Sequence, residues 1–245
     1  MTSEPREFRD QNLRGARFVE SDLSDVVIRG SEISGMEIDA PWLPFGKPLM
    51  VNGVDVVAFV EGELNRRFPG RALWRARDPA GLREAWRAAE DAWDAAIARA
   101  ATLPAGAVDE RVDGEWSFSE TLRHLVHASD IWLGKGALGW STEDFHPLGL
   151  GHGLSSTEIP PYDEVLAARA DRVARMRDFL ADVTDELLDE ERRNPHNPEE
   201  PETVRQCVQV VMEESWEHLR FALRDLDAVE PPLPDPARAA TSGEG

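Results

Sequence analysis

Phe8, Leu13, Phe18, Leu23, Ile28, Ile33 and Ile38 recur every five residues without a slip. A period of five fits neither the helix, which repeats every ~3.6 residues, nor the strand, which alternates every ~2. Two positions before each apolar residue from Leu13 onward stand Gln11, Ala16, Ser21, Val26, Ser31 and Met36, mostly small, and the residues between are polar. A short fixed repeat with one apolar and one small position suits a coil that turns a corner in every unit and stacks its large side chains inward. Seven units make a small core with exposed edges, so the segment is expected to lean on the rest of the chain.

Pro41-Trp42-Leu43-Pro44-Phe45-Gly46 breaks the repeat. Asn52-Gly53 between apolar runs predicts a tight turn. Val56, Val57, Val60 and Leu64 then predict a short helix, stopped by Arg66-Arg67-Phe68-Pro69-Gly70. From Asp78 the apolar spacing becomes three and four: Leu82, Trp86, Ala89, Trp93 and Ile97 share one stripe. Ser117 and Glu120 form a capping box ahead of a second helix running to about Lys135. A glycine-rich loop comes next, and Pro160-Pro161 opens a third helix carrying Val165, Leu166, Val173, Met176, Phe179, Leu180 and Val183. After a turn at 194–198 a fourth helix runs from about Glu202 to Asp227. Four such helices joined by proline- and glycine-bearing loops read as a bundle. The expected organisation is a repeat segment over 1–40, a connector over 41–76, a bundle over 77–230 and a disordered tail over 231–245.

The chain holds 27 Lys and Arg against 47 Asp and Glu, a net charge of −20. That balance provides no basic face for phosphates, so nucleic acid is not expected as a partner. No stretch approaches the ~20 apolar residues of a membrane span, and the first ten residues carry no apolar signal run. The lone Cys207 suits a reduced compartment, and the chain reads as cytoplasmic.

Six histidines carry the chemistry. Thr121, His124, Ala128 and Ile131 form a small or apolar stripe, which turns His124 inward, while His127 shares a charged face with Glu120, Arg123 and Asp130 and is expected to be solvated. On the fourth helix Val204, Cys207, Val211, Glu214, His218 and Phe221 lie along one stripe, so Glu214 and His218 sit one turn apart on the core face. A buried carboxylate is costly unless paired, hydrogen-bonded or bound to metal. Two readings are open: hydrogen-bonded core histidines beside a solvated acidic run, or a metal site drawn from two helices.

The five-residue units resemble the pentapeptide-repeat family, whose chains form a right-handed square β-helix with four units per coil. Seven units would give fewer than two coils, a stack about 10 Å high at the ~4.8 Å strand spacing. That is too short for the DNA-imitating rods some such proteins build, and leaves a scaffold role: capping the bundle or forming a homodimer contact. Trp116-Ser117-x2-Glu120-x-Leu122-x-His124-Leu125 with Trp132-Leu133 resembles the second-helix signature of the DinB/YfiT-like superfamily of four-helix bundles. Glu214-x3-His218-x-Arg220-Phe221-Ala222-x-Arg224-Asp225-Leu226 resembles its fourth-helix signature, where the family usually has His-x3-His. The chain is also similar to actinobacterial members that place pentapeptide units ahead of the bundle. The fold class implied is mainly α, a DinB-like four-helix bundle preceded by a short quadrilateral β-helix.

The resemblance implies a divalent metal held by His124 and His218, with Glu214 in the place of the other histidine. Two histidines and a carboxylate suit Zn²⁺ and also Fe²⁺ or Ni²⁺. The substitution equally fits a decayed site on a retained fold. His146 is either a substitute ligand or substrate contact, or an ordinary loop histidine. Characterised relatives include metal-dependent transferases and isomerases that use low-molecular-weight thiols such as mycothiol, with Arg220 or Arg123 as candidates to meet a carboxylate on the thiol. The implied function is a metal-dependent S-transferase or isomerase acting on a small molecule; the alternative is a non-catalytic, stress-associated binding protein. Cys207, two turns before Glu214, lies about 10 Å away along the helix axis, too far to be a ligand.

Overall fold

The computed structural model describes residues 7–151 and 159–230, and the chain divides into two compact units, Met1–Ala40 and Pro41–Gly245. In the first unit the period of five is written into the backbone. Asp10, Gly15, Glu20, Asp25, Gly30 and Gly35 all take positive φ, between 48° and 78°. Ala16, Val26 and Met36 each donate a main-chain N–H to the carbonyl three residues earlier. No strand forms among the described residues of this unit, so the square β-helix is not what the structure shows. Nor do the large residues stack into a core: Leu13 and Leu23 are 48 % exposed and Phe8 64 %. The physical reason is size, since under two coils have no second layer on which to close. The expected tail over 231–245 lies outside the described residues.

After a 3₁₀ turn over Leu43–Phe45 the second unit forms a hairpin, β1 (Met50–Val51) against β2 (Val54–Asp55), turned by Asn52 and Gly53 at φ 52° and 83°. Helix α1 (Val57–Arg67) and a 3₁₀ turn over Arg71–Arg75 come next. Four long helices then make the bundle: α2 (Pro79–Ala100), α3 (Phe118–Ser129), α4 (Tyr162–Asp182) and α6 (Val204–Val229). A single turn, α5 (Asp185–Leu188), leads into the hairpin of β3 (Glu191–Arg193) and β4 (Pro201–Thr203), where the sequence suggested only a turn. The chief helix contacts run from α2 to α4 and α6, and from α3 to α4 and α6. Helices α2 and α3, consecutive in sequence, therefore face each other across the bundle.

Three of the four bundle helices start where a side chain satisfies their free N–H groups, and α4 follows Pro161 without such a cap. Asp78 accepts from Ala80 and Gly81 ahead of Pro79; Ser117 and Glu120 form the expected reciprocal box; Thr203 and Gln206 form another for α6. The core gathers Leu82, Trp86, Trp93, Leu122, Met176, Met212 and Trp216, all at most 3 % exposed. Helix α3 is the most enclosed, with every residue but His127 buried. His127 is half-buried and meets the Phe145 ring edge-on, so the solvated face expected for it is only partly open.

After Ser129 the helix widens to a π-helix over Asp130–Ala137. Glycines let this wide turn pack closely. A Cβ on Gly134 would meet Trp140 at 2.4 Å, and one on Gly136 would meet Cys207 Sγ at 3.0 Å. Such π segments often accompany functional sites, because the extra residue redirects side chains. Here it turns Asp130, 0 % exposed, toward α4, where Arg172 Nε donates to it at 2.6 Å. No helix of the described residues is long and apolar enough to cross a membrane.

Candidate metal centre

Helices α3 and α6 supply three side chains that meet between them. His124, Glu214 and His218 each offer a ligand atom, and these lie within 4.8 Å of one another. The one-turn spacing of Glu214 and His218 stacks both on the same face of α6, opposite His124. The two imidazole centroids are 4.5 Å apart, and Trp116, just before the α3 cap, lies over both rings. The side chains of His124 and His218 are 3 % and 12 % exposed, but that of Glu214 is 24 % exposed. The group is enclosed on the imidazole side and reachable from the carboxylate side.

Hydrogen bonds fix the chemistry of each ring. His124 Nδ1 lies 3.1 Å from the Leu150 main-chain carbonyl. That oxygen can only accept, so Nδ1 carries the proton and a neutral His124 has its lone pair on Nε2. Yet Nε2 lies 3.2 Å from Glu214 Oε2, another acceptor. Two acceptors at that distance need a cation between or upon them: a proton or a metal ion. His218 Nδ1 similarly donates to the Glu214 main-chain carbonyl at 3.0 Å, and lies 3.4 Å from Oε2. In that tautomer its Nε2 holds the lone pair.

The donor set fits a divalent ion. A tetrahedral ion with bonds of about 2.0–2.1 Å spaces its ligands about 3.3–3.4 Å apart, close to the 3.2 Å between Glu214 Oε2 and His124 Nε2, while His218 would offer its Nε2. An imidazole whose second nitrogen is bonded to a main-chain carbonyl is the usual outer support of a metal-bound histidine. Three protein ligands with one side reachable leave room for a further ligand.

The surrounding charges sit on α6. Burial first, then the neighbouring Glu214 and Glu217 carboxylates, push Glu213 up to about 7. Glu217 is buried and bonded to Arg71 at 3.1 Å and Arg220 at 3.0 Å. The acidic run is thus not a solvated face. Arg220 lies over the Phe221 ring at 4.4 Å. His146 does not join the three ligand candidates: its N–H bonds Asp130 at 2.8 Å and its Nδ1 accepts from the Leu148 N–H. Cys207 is buried away from the group against Gly136, and burial pushes its thiol up to about 11. His152 lies outside the described residues.

Sequence reasoning found the three ligand candidates and missed their supports. Leu150 acts through a main-chain oxygen, which no side-chain pattern reveals. Trp116 entered only as part of a motif, although an aromatic directly before a helix cap was a usable signal.

The arrangement defines a class: a four-helix bundle whose interior carries two imidazoles and a carboxylate able to hold a divalent ion. The chain belongs to the DinB superfamily, whose family model matches residues 88–222, over half its length and both site-bearing helices. No curated protein and no solved structure matches it.

Proposed function

We propose that this chain is a metal-dependent enzyme of the DinB superfamily that uses a low-molecular-weight thiol of the mycothiol type to transfer or isomerise a small molecule. The reading rests on one observation: Nε2 of His124, with its Nδ1 proton given to Leu150, faces the Glu214 carboxylate at 3.2 Å. His124, Glu214 and His218 are the residues that would hold the ion. Bound there, a divalent cation supplies a Lewis acid that lowers the pKa of a thiol or water at its open position. The protein's own part is to enclose the imidazoles under Trp116, leave the carboxylate side open, and keep both Nδ1 protons on main-chain carbonyls. Zinc suits this donor set, as do nickel and iron.

Metal analysis of the purified chain against His124→Ala and His218→Ala tests the site. About one equivalent in the wild type and a loss in both variants supports it; metal retained in both variants defeats it. Mycothiol should then raise the melting temperature of the loaded protein, as any ligand of the native state does. No shift at millimolar thiol removes the thiol part of the reading. A wild type that takes up no metal leaves the non-catalytic DinB-fold alternative.

A further inference from the structure

The loop over residues 145–150 bonds at several points to α3, which carries His124, and to the π-helix that continues it. Asp130, wholly buried, accepts the His146 N–H through Oδ2 at 2.8 Å and Arg172 Nε through Oδ1 at 2.6 Å. Arg123 Nε donates to the Leu148 carbonyl at 3.0 Å, and the Leu150 N–H donates back to the Arg123 carbonyl at 3.1 Å. The loop closes on itself through Gly149 N–H to the His146 carbonyl at 3.0 Å. Its last described contact on α3 is the Leu150 carbonyl, 3.1 Å from His124 Nδ1.

A chain of contacts therefore links a buried ion pair just beyond the C-terminal end of α3 to the His124 imidazole within it. Resting on the metal reading above, we infer that Asp130 is a positioning residue for the metal centre. It anchors the loop so that Leu150 holds the proton on His124 Nδ1 and leaves Nε2 to face Glu214. Asp130 touches neither the ion nor a substrate. Its two oxygens are matched to two donors from different parts of the chain, the loop main chain and α4. A neutral amide cannot replace it, because one of the two donors would then face an NH₂ group. Outer supports of metal-bound histidines typically carry ten- to a hundredfold in metal affinity.

The test labels the histidines with ¹⁵N and reads ring protonation in the metal-free and zinc-loaded protein, while a chromophoric chelator competes for zinc. The wild type is expected to keep a proton on His124 Nδ1 in both states, slow to exchange with water. Asp130→Asn is expected to expose that proton to rapid exchange and weaken zinc ten- to a hundredfold. His146→Pro deletes the N–H that Asp130 accepts, and with it the ring nitrogen that accepts from Leu148, while leaving the Asp130–Arg172 pair whole, and should do the same if Asp130→Asn fails to fold. Met176→Ala, which opens a cavity at a buried position of α4 and removes none of these hydrogen bonds, should destabilise the protein yet keep both the protected proton and the zinc affinity. An unprotonated Nδ1 in the wild type overturns the inference. So do loop variants with an unchanged exchange rate and affinity, or Met176→Ala weakening zinc as much as they do. A wild type that binds no zinc ends the metal reading alone, since the exchange rate of the Nδ1 proton still decides whether Asp130 sets the ring.

Discussion

The Trp116 indole lies 4.7 Å, centroid to centroid, from the His124 imidazole, tilted by 35°. An indole face attracts positive charge within about 6 Å, an effect of about 0.5–1 kcal/mol where solvent reaches the pair. Charge placed on His124 by an ion at Nε2 falls within that range. Trp116→Leu should weaken zinc by about two- to fivefold, read by chelator competition. The tryptophan fluorescence change on adding zinc should shrink sharply in the same variant. A full-sized change would show that the indole does not sense the site.

Glu214→Gln separates the two roles of that side chain. In the metal-free protein the new amide can donate to the His124 Nε2 lone pair, replacing two facing acceptors with a hydrogen bond worth about 0.5–1.5 kcal/mol. The variant should be more stable than the wild type without metal, by urea denaturation, and should fail to retain zinc through gel filtration. Lower stability in the metal-free state would mean that a proton on His124 already pairs with the carboxylate.

Cys207 gives a pH-dependent probe of packing. Burial favours the neutral thiol and lifts its pKa to about 11, so only about one molecule in a thousand is thiolate at pH 8. A thiol reagent should release almost nothing from the folded protein at pH 8 and one equivalent after unfolding. Reactivity should climb as pH approaches 11. A rapid equivalent from the native protein would place the thiol at the surface.

Arg71 ties the residues before the bundle to it. Its guanidinium, 6 % exposed, pairs with Glu61 on α1 at 2.9 Å and Glu217 on α6 at 3.1 Å. Arg71→Ala leaves Glu61 with Arg75 alone and Glu217 with Arg220 alone, and should cost about 1.5–3 kcal/mol in urea denaturation. A cost below about 1 kcal/mol would mean that the two carboxylates regain water or protons on losing the arginine.

The helices were legible because their signals are local. Leu82, Trp86 and Trp93 mark a face by spacing alone, Ser117 and Glu120 mark a start, and Asn52-Gly53 marks a turn that the hairpin makes. His124, Glu214 and His218 were legible as inward positions, and family resemblance joined them across the chain. Three features were not legible. The π-helix after Ser129 has no signature beyond its glycines, because an extra residue per turn is stabilised by what packs on it. The Asp130–Arg172 pair joins residues 42 apart, and its charges read in sequence as surface. The repeat showed its period but not its burial: corners need only the backbone, whereas an inward stack needs further layers.

His124 and Glu214 stand 90 residues apart in the chain and on separate helices. The donor set therefore exists only in a chain whose fold has brought the two helices together. A cation that selects it would act on finished molecules alone, drawing the folding equilibrium toward completion as its free concentration rises.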